Sequence, residues 1–290
     1  MDTVKLYYEN AYTQDFTAVV ASCETVKNGF SVTLDRTAFY PEGGGQPADH
    51  GTLSNARVLD VHEKDGIVTH LCDRALPVGA EVDGHIDWAR RFDHMQQHSG
   101  EHIISGMLCS AFHCDNVGFH MGADVVTIDY NAPITWEQAL EVERQANAYI
   151  WADHPIHIWY PSPEELAALP YRSKKELTGP VRITEFPGAD RCACCGTHVA
   201  RSGQVGLVKL LSCQRLRDGV RLELLCGAVV EPDDPIYSID PTEEALAACM
   251  RRSTFQTKLD LPGEEARLVT LSTCSYEFDD ARFVLLGVLR

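Results

Sequence analysis

Two pairs of metal-binding residue types lie about ninety residues apart in the sequence. His98 and His102 form a His-x3-His pair, and Cys194 and His198 form a Cys-x3-His pair. Together they offer imidazole and thiol ligands in the number and type that a zinc ion takes. The pattern predicts a metal centre, which is structural if all four ligands bind and catalytic if one position stays open to water or substrate.

The histidine pair lies within residues 87–113, which are predicted to form a helix. At about 1.5 Å per residue, His98 and His102 are about 6 Å apart along the helix axis, which is close enough to share one ion. Cys109 is about 10 Å beyond His102, which is too far to join them. The predicted apolar stripe lies on the face opposite the histidines and consists of Ile104, Met107, Leu108 and Ala111.

Spacing alone does not identify the ligating cysteine, because Cys192 and Cys195 flank Cys194. The 11 cysteines are odd in number and irregularly spaced, which is typical of reduced thiols in the cytosol. The N-terminus has no apolar run of a signal peptide, and no segment approaches the roughly 18 apolar residues of a membrane span. We therefore expect a cytoplasmic protein with no membrane partner.

The charge of the chain is strongly negative, with a formal net charge of −17. This argues against general nucleic-acid affinity, because phosphate binding needs a basic surface. Residues 171–221 are the exception, since their 10 basic and 4 acidic side chains give +6. This segment surrounds Cys194 and His198, so the sequence predicts a local anion-binding face beside the metal centre.

The N-terminal region, residues 1–87, is predicted to be a β domain. Short apolar or β-branched runs at 16–20, 29–34, 57–61 and 67–71 are separated by turn residues, which is typical of a small barrel or sandwich. Between them, Gly43, Gly44 and Gly45 form a glycine-rich loop. Such a loop lets the backbone approach a ligand closely.

Residues 88–230 are predicted to form an α+β domain with an antiparallel sheet. Thr135 is the predicted N-cap of a second helix over residues 136–151, with Gln138 at the spacing of a capping box. Residues 117–122 are predicted to be a turn. The predicted strands cover residues 125–130, 156–160, 181–186, 205–211 and 220–225.

Residues 39–47, 96–102 and 192–199 occur in an order and separation that resemble the free-standing editing proteins related to the editing domain of alanyl-tRNA synthetase. The resemblance covers about residues 4–230. It implies a small N-terminal β-barrel and an α+β editing domain with one zinc. It also implies hydrolysis of the ester that joins a wrong amino acid, serine or glycine, to tRNA(Ala).

The same resemblance implies roles for individual residues. The zinc ligands fall on His98, His102, Cys194 and His198. Thr37 falls near the side chain that meets the hydroxyl of serine, and His120 falls at a polar position of the pocket. The pocket residues implied are Thr37, Gly43, Gly44, Gly45, Gln46 and His120.

The resemblance implies that the partner of the basic segment is tRNA. We expect Arg172, Lys174, Lys175 and Arg182 to contact phosphates of the mischarged tRNA. The physical reason for such an enzyme is that a pocket for alanine cannot strongly reject a small analogue, so a second hydrolytic site must remove it.

The C-terminal residues 231–290 follow a Pro- and acid-rich linker and do not fit this pattern. A helix is predicted over residues 242–252. Cys274, with Arg282 eight residues later, resembles the C-terminal part of class B sortases over about residues 235–290. Residues 231–290 contain no histidine to complete that chemistry, so we expect a short αβ fragment that is catalytically silent.

Two alternatives to a zinc-dependent deacylase follow from these observations. One is a cysteine transpeptidase of sortase type that acts through Cys274 and Arg282. The other is a nucleic-acid-binding module in which zinc has a structural role. Hydrolysis of a mischarged tRNA distinguishes the zinc-dependent deacylase from these two alternatives.

Overall fold

Strands dominate the N-terminal third of the chain. The computed structural model describes residues 2–123, 125–173, 179–227, 267–274 and 282–289, the last two segments by their backbone alone. The elements of the first third are β1 (Val4–Lys5), α1 (Leu6–Glu9), β2 (Asp15–Val26), β3 (Gly29–Leu34), β4 (Arg36–Thr37), β5 (Gly51–Leu53), β6 (Ala56–Lys64), β7 (Ile67–Cys72) and β8 (Glu81–Ile86).

Six of these strands close into a barrel in the order β2-β3-β7-β6-β5-β8. All neighbouring pairs with a described register are antiparallel, and β8 closes the barrel by pairing with both β2 and β5. The alternating pattern places apolar side chains inside, where Val32, Leu53 and Val61 are fully buried. The alternating runs predicted a small barrel or sandwich and the family resemblance implied a barrel, and the barrel is confirmed.

The long helix that carries the histidine pair is α2 (Trp88–Phe112). Asp87 caps its N-terminus by accepting a hydrogen bond from the Arg90 amide, and His113 ends it in the left-handed conformation with φ 51°. The predicted bounds therefore agree with the observed ones. The helix does not have one buried and one exposed face along this stretch, because nearly every residue from Arg91 to Cys109 is buried.

The rest of the first unit mixes helices and strands around α2. Its elements are β9 (Asn116–Met121), β10 (Val126–Tyr130), α3 (Trp136–Trp151), β11 (His157–Trp159), α4 (Pro163–Ala168), β12 (Ile183–Phe186), β13 (Asp190–Ala193), a 3-10 turn (Ser202–Val205), β14 (Val208–Arg215) and β15 (Val220–Cys226).

These strands form two antiparallel sheets, in the orders β14-β15-β10-β9 and β11-β12-β13. The predicted α+β class is confirmed, and so is the capping box in which Thr135 and Gln138 satisfy each other's backbone amides. The prediction of a turn at 117–122 is wrong for most of that segment, because β9 pairs with β10 along Met121 to Asn116. The predicted strand at 205–211 starts later, at Val208, because a 3-10 turn ending at Gly206 precedes it.

The chain divides into two compact units, Met1–Leu225 and Cys226–Arg290. In the second unit, β16 (Arg267–Cys274) and β17 (Arg282–Leu289) form an antiparallel pair in which Cys274 lies opposite Arg282. The predicted helix at 242–252 lies outside the described residues. Among the helices of the described segments, none has both the length and the apolar character needed to cross a membrane.

Candidate metal centre and glycine loop

The two predicted pairs of ligands meet in the first unit. His98, His102, Cys194 and His198 each offer one ligand atom, and these four atoms all lie within 4.8 Å of one another. The three histidines are almost fully buried, at 3%, 4% and 2% exposure. The helix supplies one pair at a spacing of one turn, and the turn after β13 supplies the other.

The spacing of these atoms suits a tetrahedral zinc ion. Zinc bonds of about 2.3 Å to sulfur and about 2.05 Å to nitrogen separate the two ligand atoms by about 3.6 Å in a tetrahedron. The Cys194 Sγ lies 3.6 Å from His98 Nε2 and 3.3 Å from His198 Nε2. The donor set of one thiol and three imidazoles is also one that zinc favours, so the residues present fit this ion.

The Cys194 thiol has the electrostatic character of a metal ligand. Burial alone would raise its pKa, but the neighbouring imidazoles of His98, His198 and His102 lower the pKa of Cys194 well below its usual range. The thiolate is the form of cysteine that binds metals. A ligand of this kind is therefore available at neutral pH.

The two flanking cysteines differ from Cys194 in environment. Cys192 lies near His102 and Asp190, but burial raises the pKa of its thiol to about 11. Cys195 is exposed as a residue, but partial burial of its sulfur still raises the pKa of its thiol. The geometry therefore groups Cys194, rather than either neighbour, with the three histidines.

The orientation of His98 is set by the glycine loop. The Nδ1 of His98 lies 2.8 Å from Oε1 of Gln46, which also accepts a hydrogen bond from the Thr197 amide at 3.2 Å. The other end of the amide, Nε2, donates to Thr197 Oγ1 at 2.8 Å. Since the amide oxygen can only accept, His98 carries its proton on Nδ1 and turns the lone pair of Nε2 towards the cluster.

His102 is held by Asp190, which is in turn paired with Arg172. Its Nδ1 lies 2.8 Å from Oδ2 of Asp190, and the same carboxylate accepts two hydrogen bonds of 2.8 Å from the guanidinium of Arg172. Burial would raise the pKa of Asp190, but His102 and Arg172 lower it. Gly106 makes this contact possible, because a Cβ there would lie 2.5 Å from that of Asp190.

His198 has the weakest of the three supports. Its Nδ1 lies 3.2 Å from Oγ of Ser99, whose oxygen also accepts a hydrogen bond from the Val199 amide at 3.2 Å. Burial lowers the pKa of His198 to about 3, so this ring is neutral and its nitrogen is available to a metal. All three imidazoles therefore have a partner on Nδ1, which leaves Nε2 for the cluster.

The glycine loop is a tight hairpin turn. Gly43 and Gln46 exchange two backbone hydrogen bonds of 3.0 and 3.1 Å, and Gly44 and Gly45 have φ of 61° and 91°. Positive φ at both central positions is the signature of a type I′ turn. Gly45 also lies against Phe119, whose ring packs on His98 with 5.1 Å between ring centroids. The turn therefore places Gln46 in contact with His98 and Gly45 in contact with Phe119 beside it.

The other two predicted pocket residues are placed differently. Thr37 is fully buried, and its hydroxyl lies 2.8 Å from His70 Nε2 and accepts from the Phe39 amide at 3.1 Å. His120 is exposed on β9, opposite Thr127 of β10. Since His70 Nδ1 faces the Val32 carbonyl, Thr37 donates to His70 Nε2, so Thr37 would meet a seryl hydroxyl only as an acceptor.

The predicted phosphate contacts lie in two groups. Lys174 and Lys175 lie outside the described residues. Arg172 is engaged with Asp190, and Arg182 is buried, with Nη1 donating to the carbonyls of Cys194 and Gly196 at 2.9 Å. Both guanidinium groups therefore support the metal cluster and its turn. The predicted sortase-like pair, Cys274 and Arg282, is in register along the backbone, but its side chains lie outside the described part of the chain.

Several supporting residues were not predicted from the sequence. Asp190, Ser99, Thr197 and Phe119 contact the cluster or its supports. Ser99 lies within the histidine motif itself, and Asp190 lies four residues before Cys194. Nearness to a ligand in the sequence was therefore the one sign that these residues could support the cluster. Neither position identifies which ligand the side chain supports.

Two family models match parts of the chain. One is described as tRNA synthetases class II (A) and matches residues 3–90. The other is described as threonyl and alanyl tRNA synthetase second additional domain and matches residues 181–222. The first match contains the barrel and the glycine loop, and the second contains Cys194 and His198.

Relatives of the chain include proteins and enzymes of the alanyl-tRNA system. The chain is 31% identical over 233 residues to the alanyl-tRNA editing protein AlaX-L of Pyrococcus horikoshii, covering 77% of this chain and 58% of that protein. It is 32% identical over 259 residues to the alanyl-tRNA editing protein Aarsd1 of Bos taurus, covering 83% and 58%. It is 37% identical over 265 residues to the alanine–tRNA ligase of Natronomonas pharaonis, covering 84% and 28%. The chain thus spans little more than half the length of the two editing proteins.

Proposed function

Because the chain belongs to the family of the alanyl-tRNA editing proteins, we propose that it hydrolyses the ester between tRNA(Ala) and a wrongly attached serine or glycine. The observation that carries this proposal is the buried cluster of three histidines and one cysteine, with the glycine turn beside it. A hydrolase of small aminoacyl esters needs both a polarising centre and a pocket without bulky side chains.

Zinc is the ion that we assign to the cluster. One thiolate and three imidazoles within 4.8 Å of one another support this choice over magnesium or calcium, which prefer oxygen ligands. When bound, zinc supplies Lewis acidity that polarises a carbonyl or lowers the pKa of water. His98, His102, Cys194 and His198 would hold it.

The residues around the cluster fix the direction of each ligand. Gln46, Asp190 and Ser99 each hold one imidazole by its Nδ1 atom, so that none of the rings has to reorient during the reaction. Arg172 keeps Asp190 ionised, and the ionised carboxylate keeps the His102 proton on Nδ1. This arrangement is a preorganised site in the sense that its geometry is set before substrate binds.

The glycine turn would form the wall nearest the aminoacyl group. Gly43, Gly44 and Gly45 present backbone without side chains, so that a small amino acid can lie against amides and carbonyls. Serine and glycine differ from alanine by one hydroxyl or one methyl group. A single binding site discriminates such differences only by about 10- to 200-fold, so a separate hydrolytic site improves accuracy.

The test is hydrolysis of Ser-tRNA(Ala), Gly-tRNA(Ala) and Ala-tRNA(Ala) by the purified chain. We expect rapid loss of the seryl or glycyl ester, slow loss of the alanyl ester, and loss of activity in His102→Ala. His85→Ala is the matched control, since His85 is a largely exposed barrel histidine paired with Asp15.

Two outcomes contradict the proposal. If the wild-type chain accelerates ester loss no more than buffer, the chain is not a deacylase. If it binds tRNA in proportion to its metal content without hydrolysing the ester, the binding module with structural zinc is the correct interpretation.

A further inference from the structure

Two arginines of the basic segment have no partner of opposite charge among the residues that the structure describes. Within the described part of residues 171–221, the other basic side chains each contact a carboxylate or a backbone carbonyl, whereas Arg215 and Arg217 form no ion pair. The engaged residues are Arg172, Arg182, Arg191, Arg201, Lys209 and Arg221. Most of the basic side chains in the described part of this segment are therefore paired, whereas Arg215 and Arg217 are exposed without an ion pair.

The same two arginines line a cleft. It lies between the hairpin that joins β14 to β15 and the start of α3, and it has a volume of about 560 Å³. Trp136, the first residue of α3, lines it with 36% of its surface exposed. Asp218 at the hairpin tip also lines it, so the charged groups of the cleft sum to one positive charge. We call this feature the hairpin cleft.

Hydrogen bonds join α3 to β14 beyond the hairpin cleft. Asn147 of α3 exchanges two hydrogen bonds of 2.8 Å with the backbone of Val208 in β14. Glu143, also on α3, pairs with Lys209 and accepts a hydrogen bond from the Leu210 amide at 2.6 Å. The helix that begins with Trp136 is thus held against the strand that leads to Arg215.

We propose that the hairpin cleft binds the RNA strand of the substrate, with a nucleobase stacked on Trp136 and phosphates on Arg215 and Arg217. A volume of this size is within the range of ligand pockets, and an aromatic side chain and guanidinium groups in one cleft are a combination that binds unpaired nucleotides. Asp218 disfavours a small multivalent anion, because it opposes one of the two positive charges. The assignment rests on the tRNA substrate proposed above.

The position of the cleft in the sheet connects it to the metal centre. β14 and β9 are the two edge strands of the same four-stranded sheet, so three strand spacings, or about 14 Å, separate them. β9 carries Phe119, which packs on His98. A strand of tRNA held in the hairpin cleft therefore lies a few nucleotides away from the ester rather than at it.

Binding of uncharged tRNA(Ala) to the full chain tests this assignment without relying on catalysis. The double variant Arg215→Ala/Arg217→Ala is expected to bind at least 10-fold more weakly at about 0.1 M salt. The slope of log K against log salt should fall by about 1.4 to 1.8, as expected for the loss of two phosphate contacts. Trp136→Ala should weaken binding about 5- to 150-fold, and Trp136→Phe should retain most of the affinity.

Arg144→Ala is the matched control, because Arg144 is an exposed arginine on α3 that is paired with Glu141. It should bind tRNA like the wild type, and all variants should keep the wild-type melting temperature. Equal affinity and equal salt slope in the wild type and the double variant would overturn the assignment, as would absence of tRNA binding by the wild type.

Hydrolysis separates this assignment from the proposed function. With Ser-tRNA(Ala), the double variant should show a raised KM and an unchanged kcat, and with a seryl ester of adenosine it should match the wild type. A wild type that hydrolyses neither ester contradicts the deacylase. A wild type that hydrolyses Ser-tRNA(Ala) with the same KM as the double variant contradicts only the hairpin cleft.

Discussion

At the residue scale, the three histidines of the cluster differ in what holds them. Gln46 is a neutral amide, Ser99 a hydroxyl and Asp190 a carboxylate paired with Arg172. Burial lowers the pKa of His102, but Cys194 and Asp190 outweigh it and raise that pKa well above the usual value. His102 and His198 therefore differ in basicity although they share one centre.

Gln46 is the support that joins the barrel to the cluster, and Gln46→Ala removes it. His98 Nδ1 and the Thr197 amide both lose their acceptor in this variant, since Gln46 is only 2% exposed and water cannot replace it freely. We expect zinc affinity to fall about 10- to 100-fold, the usual effect of removing such a partner. Competition with a chromogenic chelator measures it.

Gln138→Ala is the control, because Gln138 is an exposed glutamine that caps α3. It should bind zinc as the wild type does. Wild-type zinc affinity in Gln46→Ala would mean that His98 is positioned without the amide.

His70 gives the barrel a stability that depends on pH. Burial lowers the pKa of His70 to about 4, from an unfolded value near 6.5. Between these values the unfolded chain binds a proton that the folded chain does not, so stability falls as pH decreases from about 6.5 to about 4. From pH 7.5 to pH 5 this single group should remove about 2 kcal/mol of unfolding free energy.

Chemical denaturation of the wild type and His70→Gln at both pH values checks this contribution. The variant is expected to be less stable at pH 7.5, since it loses the contacts of His70 with Thr37 and Val32. Its decrease towards pH 5 should be smaller than that of the wild type by the amount given above. Parallel curves for the two proteins would contradict the shift.

At the element scale, the glycine turn connects β-barrel and metal cluster. Its two central residues need positive φ, and its end, Gln46, contacts both His98 and Thr197. The Met121 amide of β9 donates to the Gly45 carbonyl at 3.0 Å, so the turn is also anchored to the four-stranded sheet. A change in the turn is therefore transmitted to the ligand set by direct contact.

Gly45→Ala and Gly44→Ala distinguish the steric and conformational demands of this turn. In both variants, an alanine at positive φ lowers the free energy of unfolding by about 1–2 kcal/mol. Only at Gly45 would the added Cβ collide, 2.5 Å from Cδ1 of Phe119, whereas at Gly44 it meets nothing within 4 Å. Because displaced active-site groups can cost about 10²-fold in rate, we expect Gly45→Ala to lose at least about 10-fold more kcat/KM than Gly44→Ala.

The comparison is made with Ser-tRNA(Ala) hydrolysis, and melting temperatures report the conformational cost separately. Similar melting temperatures with different kcat/KM would fit a local displacement of Phe119 and His98. Equal kcat/KM for the two variants would show that Phe119 moves away at no cost to the site.

At the scale of the whole molecule, the functional features lie within one of two compact units. Unit Met1–Leu225 contains the barrel, the cluster and the hairpin cleft, whereas unit Cys226–Arg290 contains the β16–β17 pair. The molecule is acidic, and most basic side chains in the described part of its basic segment pair with carboxylates or carbonyls. Arg215 and Arg217 are the exceptions in that part of the chain.

A chain that ends at residue 228 should keep zinc binding and deacylation. It retains β15 and all four ligands, which lie in the first unit, and it removes most of the second unit. We expect one zinc per chain and a kcat/KM equal to that of the full chain, measured by metal analysis and Ser-tRNA(Ala) hydrolysis. His102→Ala in the short chain is the negative control.

A shortened chain that binds zinc but has lost hydrolysis would show that residues beyond 228 take part in catalysis or substrate binding. In that case the variants Cys274→Ala and Arg282→Ala of the full chain would identify whether the sortase-like pair is involved.

Local features of the fold could be predicted from the sequence because their causes are local. The alternating apolar runs give the barrel strands, Asp87 and His113 bound α2, and the Thr135 cap starts α3. The spacing of His98 and His102 within one helical turn likewise depends only on helix geometry. Strand β9 was missed because residues 116–121 contain Gly118 and polar residues, and it is pairing with β10 that makes them a strand.

The sequence by itself determined which residue types can bind a metal and on which elements they lie. Spacing left the ligating cysteine open, and the tertiary structure groups Cys194, which the family resemblance implied, with the three histidines. Only the tertiary structure decided which partner holds each ring. Gln46 and His98 are 52 residues apart, and Asp190 and His102 are 88 apart. It also turned Arg172 and Arg182 inward and left Arg215 and Arg217 at the cleft. Such contacts depend on how distant segments pack, and no periodicity along the chain encodes them.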